Sequence, residues 1–122
     1  MGQSVDAKVA YGFAVNSEGT PECLEDYGPY GSEAISPLLD VSYYGWADFY
    51  TPVVHIKSSE TWAMDGNPTE FKTEQPTQEE VEALEAARER VIEILKEAGE
   101  YSEDRWGPNV GEIGWLVWGS FG

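Results

Sequence analysis

Residues Thr77 to Gly99 read TQEEVEALEAARERVIEILKEAG, and their pattern decides the fold class. Thr77 suits a helix N-cap, and Glu80, three residues later, completes a capping box. Pro76 precedes the cap. Gly99 follows the last periodic residue, where a left-handed residue ends a helix. Between these signals Val81, Leu84, Ala87, Val91, Leu95 and Ala98 recur at three- and four-residue steps and share one face. Ile92 and Ile94 widen that face. Glu82, Glu85, Glu89, Glu93 and Glu100 fall on the opposite one. The spacing predicts an amphipathic helix over 78–98, and such a helix needs an apolar surface to cover.

Strand patterns on either side supply that surface. Lys8–Val15, KVAYGFAV, alternates Val9, Tyr11, Phe13 and Val15 with Ala10, Gly12 and Ala14, a period of two. Its flat Ala/Gly face offers the helix a close approach, although either face can take it. Leu38–Tyr50 reads as an aromatic strand broken by a bulge at Gly45. A second strand follows Pro52, with Val54 and Ile56 inward and His55 on a wet face. Trp62 and Met64 keep its phase. Glu112–Phe121 reads as a central strand with apolar residues on both sides. The segment 16–37 is an acidic loop with a short helical turn, held by Tyr27 and Tyr30, and Asp65–Pro68 is a turn. The expectation is one domain, 1–122, of class α+β. A mainly antiparallel sheet of three to five strands has its first and last strands adjacent, and the long helix packs across it.

Composition bounds the function. Twenty-three acidic against seven basic residues leave a net charge of −16. That field repels nucleic acid and anionic membrane and attracts basic partners. It also keeps a chain with five Trp, seven Tyr and four Phe in solution. A lone Cys23 excludes an internal disulfide and a cysteine-based zinc site. The N-terminus lacks a basic region followed by a long apolar run, and no run approaches the ~20 residues of a membrane span. The reading is a protein of a reducing cytoplasm.

Catalytic signals are sparse. His55 and Cys23 stand on unrelated elements without a third partner, and the carboxylates around Cys23 disfavour its thiolate. No phosphate-cradling glycine loop, metalloprotease helix or calcium loop occurs. No catalytic, cofactor-binding or metal-binding residue is assigned, and the chain is read as non-enzymatic.

Two features of the helix remain. Glu85, Glu89 and Glu93 repeat every four residues, flanked by Glu82 and Glu100. At 1.5 Å rise per residue their charges stand roughly 6 Å apart, close to the ~7 Å between phosphates along a nucleic-acid strand. Such a row is either a solvated face or a phosphate-like ladder presented to a basic groove. Like charges at this spacing cost the helix a few tenths of a kcal/mol each, which favours a purpose. Arg88 falls inside the apolar arc, so it must be paired, with an acid of the sheet or loop, or anchor a subunit contact.

An N-terminal strand containing AYGF, a Trp-rich C-terminal strand ending GWLVWGSFG and an acidic helix between them resemble small accessory proteins of actinobacterial phages. The resemblance implies a protein that acts in the host cytoplasm by binding and blocking a host factor, and it carries no catalytic residues. The leading expectation is an acidic inhibitor that mimics nucleic acid and occupies a basic surface of a host protein. Glu82, Glu85, Glu89, Glu93 and the loop acids Glu22, Glu25 and Asp26 form its contact surface. The alternative is an assembly protein that forms a homodimer through exposed Trp46, Tyr43 and Tyr44. A small-molecule-binding protein or enzyme is the third reading.

Overall fold

The computed structural model describes residues 5–28, 35–46, 49–63, 74–104 and 107–121. Six strands and one long helix follow one another as β1 (Val5–Asn16), β2 (Leu39–Trp46), β3 (Phe49–Ile56), β4 (Thr61–Ala63), α1 (Gln78–Glu97), β5 (Asn109–Val110) and β6 (Gly114–Phe121). The class is α+β. The sheet runs β3-β2-β6-β1-β4, with β5 attached to β1. β1 and β6 are antiparallel neighbours over eight pairs, Val5 with Phe121 through Gly12 with Gly114, as the sequence predicts. β4 and β5, of three and two residues, take the count past the expected three to five strands.

β1 also pairs with β3, and β2 meets β6 through one parallel pair, Gly45 with Ser120. The sheet therefore curls until β1, β3, β2 and β6 close a ring. This curling gives it an inner and an outer face. On the outer face Phe13, Val15, Leu39, Val54 and Ile56 pack under Leu84, Val91 and Leu95 of α1 in one buried cluster. The helix thus lies on the bulky face of β1. The flat face turns inward, where Ala10, Val53 and Trp118 form a second, smaller cluster. Small residues on β1 suit that position, since Ala10 and Ala14 pack there against Val53, Leu116 and Trp118.

The aromatic run 38–50 is not a bulged strand. β2 and β3 form a hairpin whose register is unbroken from Leu39 with Ile56 to Trp46 with Phe49. Pro52 sits inside β3 opposite Tyr43, outside the segment of β3 that pairs with β1, so the second edge there needs no donor. After β3, a 3-10 turn over Lys57–Ser59 separates β3 from β4. Gly12 pairs with His55, but Val9 pairs with Thr61. Three extra residues therefore intervene and shift the phase by an odd number. Trp62 consequently stands opposite Lys8, on the other face from Val54 and Ile56. Ser59 repairs the interrupted ladder: its hydroxyl accepts from Tyr11 N–H at 2.9 Å and donates to Ile56 O at 2.7 Å.

β6 is central in strand order but is not covered on both sides. Trp118 is buried, while Val117 is 73% exposed and Trp115 40%, because α1 covers β3, β2 and β5 rather than the outer face of β6. The turn expected at 65–68, Met64 and Tyr30 lie outside the described residues.

Candidate functional site

The helix forms as its caps dictate. Glu80 N–H donates to Thr77 Oγ1 at 3.2 Å, and Thr77 N–H donates to Glu80 Oε1 at 2.9 Å. Ser58 Oγ also donates to Glu80 Oε2 at 2.8 Å, which ties the helix start to the turn after β3. These bonds, with the Thr77 N–H first and Ser58 second, hold the Glu80 carboxyl below the usual glutamate range. At the other end Gly99 takes φ 71°, and the N–H groups of Glu100 and Tyr101 both donate to Leu95 O. The helix stops there. Glu100 therefore leaves the stripe, and its carboxylate instead accepts from the thiol of Cys23 at 2.9 Å.

Glu82, Glu85, Glu89 and Glu93 all lie exposed, opposite the buried Leu84, Ala87, Val91, Ile94 and Leu95. Two of the four have local partners: Gln78 Nε2 donates to Glu82 at 3.0 Å, and Arg90 Nη1 meets Glu93 Oε1 at 3.0 Å. Among the described residues Glu85 and Glu89 have no hydrogen-bond or ion-pair partner. The loop acids Glu22, Glu25 and Asp26 are exposed as well. Their 3-10 turn, Glu22–Leu24, packs against α1 through buried Leu24, in the cluster that holds Val91 and Leu95. Loop and helix thus bring their acids onto one rigid unit.

Two clefts extend this character. One of about 430 Å³ lies at the start of α1, lined by Glu74, Glu79, Glu80 and Trp115 among others. Another of about 410 Å³ lies between Glu18, Pro21, Glu100 and Pro108. Carboxylates line both. No group of three or more metal-ligating side chains occurs among the described residues, and no helix among them is long and apolar enough to cross a membrane. No family model, curated protein or solved structure matches the chain. The site must be judged on its own geometry.

Three sequence readings change. Among the described residues Arg88 pairs with no acid. Its Nε and Nη2 donate to the carbonyls of Gly111 and Val110 at 2.8 and 3.2 Å, fastening β5 to the helix. Cys23 is held protonated as expected, but burial acts first and the Glu100 carboxylate second, pushing it up to about 11. His55 is not a surface residue. It is 0% exposed on the inner face, with Ser42 Oγ 2.8 Å from Nε2, Glu60 Oε2 3.4 Å from the same nitrogen and Ile56 O 3.2 Å from Nδ1. The sequence carries no sign of this cluster, because the closure of the sheet is what turns His55 inward.

Proposed function

We propose that the protein is an acidic binding protein whose helix surface acts by binding rather than by catalysis, a phage-encoded inhibitor that occupies the basic, nucleic-acid-binding surface of a host protein. The observation that carries this reading is the exposed row along α1, in which Glu85 and Glu89 remain unpaired. The helix binds the sheet through its opposite face, so folding does not require the row. A partner's arginines and lysines supply the charge that the chain itself withholds, with charge-assisted bonds stronger than neutral ones. Glu22, Glu25 and Asp26 widen the contact at the C-terminal half of the helix.

The test uses the immobilised chain against a panel of nucleic-acid-binding host proteins, with an oligonucleotide as competitor. Partner capture should fall steeply with salt, and the oligonucleotide should displace it. Replacing Glu85, Glu89 and Glu93 by Gln should weaken capture by roughly 1–3 kcal/mol for each well-paired, desolvated charge. The Glu93 share should be smallest, since Arg90 already satisfies it. Unchanged affinity in the triple variant would reduce the row to a solvated face.

A second reading rests on a different observation. Tyr43 is 47% exposed, and Trp115 and Val117 are exposed on the uncovered part of β6, which favours self-association through this face. The side chains of Tyr44 and Trp46, also expected to take part, lie outside the described residues. Mass that rises with protein concentration and falls in Val117→Lys would support assembly. A monomer at every concentration would remove that reading.

A further inference from the structure

We infer that Ser42 is a nucleophile activated by His55, able to take an acyl group from an ester on the inner face of the curled sheet. The register places the pair. Ser42 stands opposite Val53 and Asp40 opposite His55, so Ser42 and His55 are diagonal neighbours on one face of the hairpin.

The tautomer follows from the partners. Nδ1 of His55 lies 3.2 Å from Ile56 O, and a carbonyl oxygen can only accept, so Nδ1 carries the ring proton in the neutral imidazole. Nε2 then presents its lone pair to Ser42 Oγ, 2.8 Å away, and the hydroxyl donates. This is the arrangement in which an imidazole removes a proton as the oxygen attacks. The Ile56 carbonyl takes the part of the group that fixes the ring's orientation and tautomer. Glu60 Oε2 is 3.4 Å from Nε2, where positive charge arises once the proton arrives, and the carboxylate favours that charge. Asp40 faces the same ring from β2, with its Oδ1 accepting from Val41 N–H.

One donor in this region is unspent. Trp118 is 8% exposed, and its Nε1–H is buried without any hydrogen-bond partner among the described residues. Its ring centroid lies 6.0 Å from that of His55. Buried donors are nearly always satisfied, so this N–H, on a ring that neighbours the imidazole, is free to meet a developing oxyanion. Ser42 is half-buried and the Glu60 side chain keeps 30% of its surface, which leaves an approach from solvent.

The step balances. Ser42 Oγ bonds to the ester carbonyl carbon as its proton passes to Nε2. The tetrahedral oxyanion, held by the Trp118 N–H, then collapses, and the bond to the alcohol breaks. The alcohol leaves with the proton from Nε2. Water repeats the sequence, releasing the acid and restoring Ser42. None of the helix glutamates takes part, so this reactivity stands apart from the binding surface.

The full chain is incubated with a fluorophosphonate, which transfers phosphorus to an activated serine as fluoride and the serine proton leave, and the adduct is mapped by mass spectrometry. The expected result is a single adduct on Ser42, absent in Ser42→Ala and unaltered by the Glu85, Glu89 and Glu93 to Gln changes. His55→Gln should slow labelling by at least about 100-fold. Because that variant alters a buried residue, Trp118→Phe supplies a second readout. It keeps an aromatic ring, removes the N–H and should slow p-nitrophenyl acetate turnover by about 100-fold with unchanged far-UV circular dichroism. Wild-type chain left unlabelled under conditions that fully label trypsin in the same tube, or labelled evenly over surface residues, overturns the inference. Full turnover by Trp118→Phe removes the indole from the mechanism.

Discussion

Gly12 is where three strands meet, pairing with Gly114 of β6 on one side and His55 of β3 on the other. A Cβ there would press on the Val54 carbonyl oxygen and lie 2.6 Å from His55 Cα. Both are backbone atoms that cannot rotate away. Gly12→Ala should therefore destabilise the fold by about 1–3 kcal/mol or more, read as a lower urea midpoint, and it should also displace His55. Cys23 makes a milder test. With its thiol pushed up to about 11 by burial and by Glu100, alkylation by iodoacetamide should be slow at pH 8 and accelerate as pH rises toward that value. Glu100→Gln should move the onset to lower pH, yet leave it above that of a free thiol, since burial is the larger cause. The sign for stability follows: a raised thiol pKa contributes below the unfolded value and is lost as pH rises through the folded one. Arg88 shows a third use of a polar residue at this scale. Its guanidinium holds two carbonyls of the β5 segment, so Arg88→Leu should leave both unpaired and cost about 1–3 kcal/mol, checked by the same urea titration.

At the scale of elements, α1 depends on its first turn. Thr77→Ala removes the acceptor for Glu80 N–H and should cost about 0.5–2 kcal/mol in thermal or urea unfolding. Acid should act on the same bonds. The Glu80 carboxyl is held below its usual range by Thr77 and Ser58. Its contribution is therefore complete above the unfolded value of about 4.3 and is lost as pH falls through the depressed folded one. A Glu80→Gln variant should show a shallower loss of helix signal over that window. The β3–β4 connection shows the opposite dependence. Its geometry rests on Ser59 filling a ladder gap for Tyr11, a role with no counterpart in the local pattern of alternating residues.

For the whole molecule, charge sets the behaviour. A net charge of −16 on 122 residues acts against the compact state through self-repulsion. Raising ionic strength shortens the range of that repulsion from ~30 Å at 0.01 M to ~10 Å at 0.1 M. The melting temperature should therefore rise with added salt over this range, while capture of a basic partner falls; differential scanning calorimetry and the capture assay check the two. The triple Gln variant should melt slightly higher at low salt, since each relieved like-charge pair is worth a few tenths of a kcal/mol. A single helix on one face of a curled sheet leaves two surfaces free for partners, the acid row of α1 and the outer face of β6. They differ in chemistry, so salt discriminates between them.

The helix, its caps and its buried and acidic faces were legible in the order of residues alone, and the adjacency of the first strand and the last was expected from it. The helix features rest on local chemistry or on a period that survives in any fold: Thr77 and Glu80 lie one turn apart, and Val91 and Leu95 share a face wherever the helix goes. The candidate surface on α1 was legible for the same reason, because exposure of Glu85 and Glu89 follows from burial of the residues opposite them. Which face of β1 meets the helix, where His55 points and what Arg88 holds emerge only once the chain is folded. The first two depend on closure of the sheet through β1 with β3 and β2 with β6, and the third on β5 lying beside the helix. Closure creates an inside that no alternation along one strand can announce. The three-residue insertion before β4 then reverses the phase of Trp62 relative to Ile56, because a period of two keeps no memory across an odd gap.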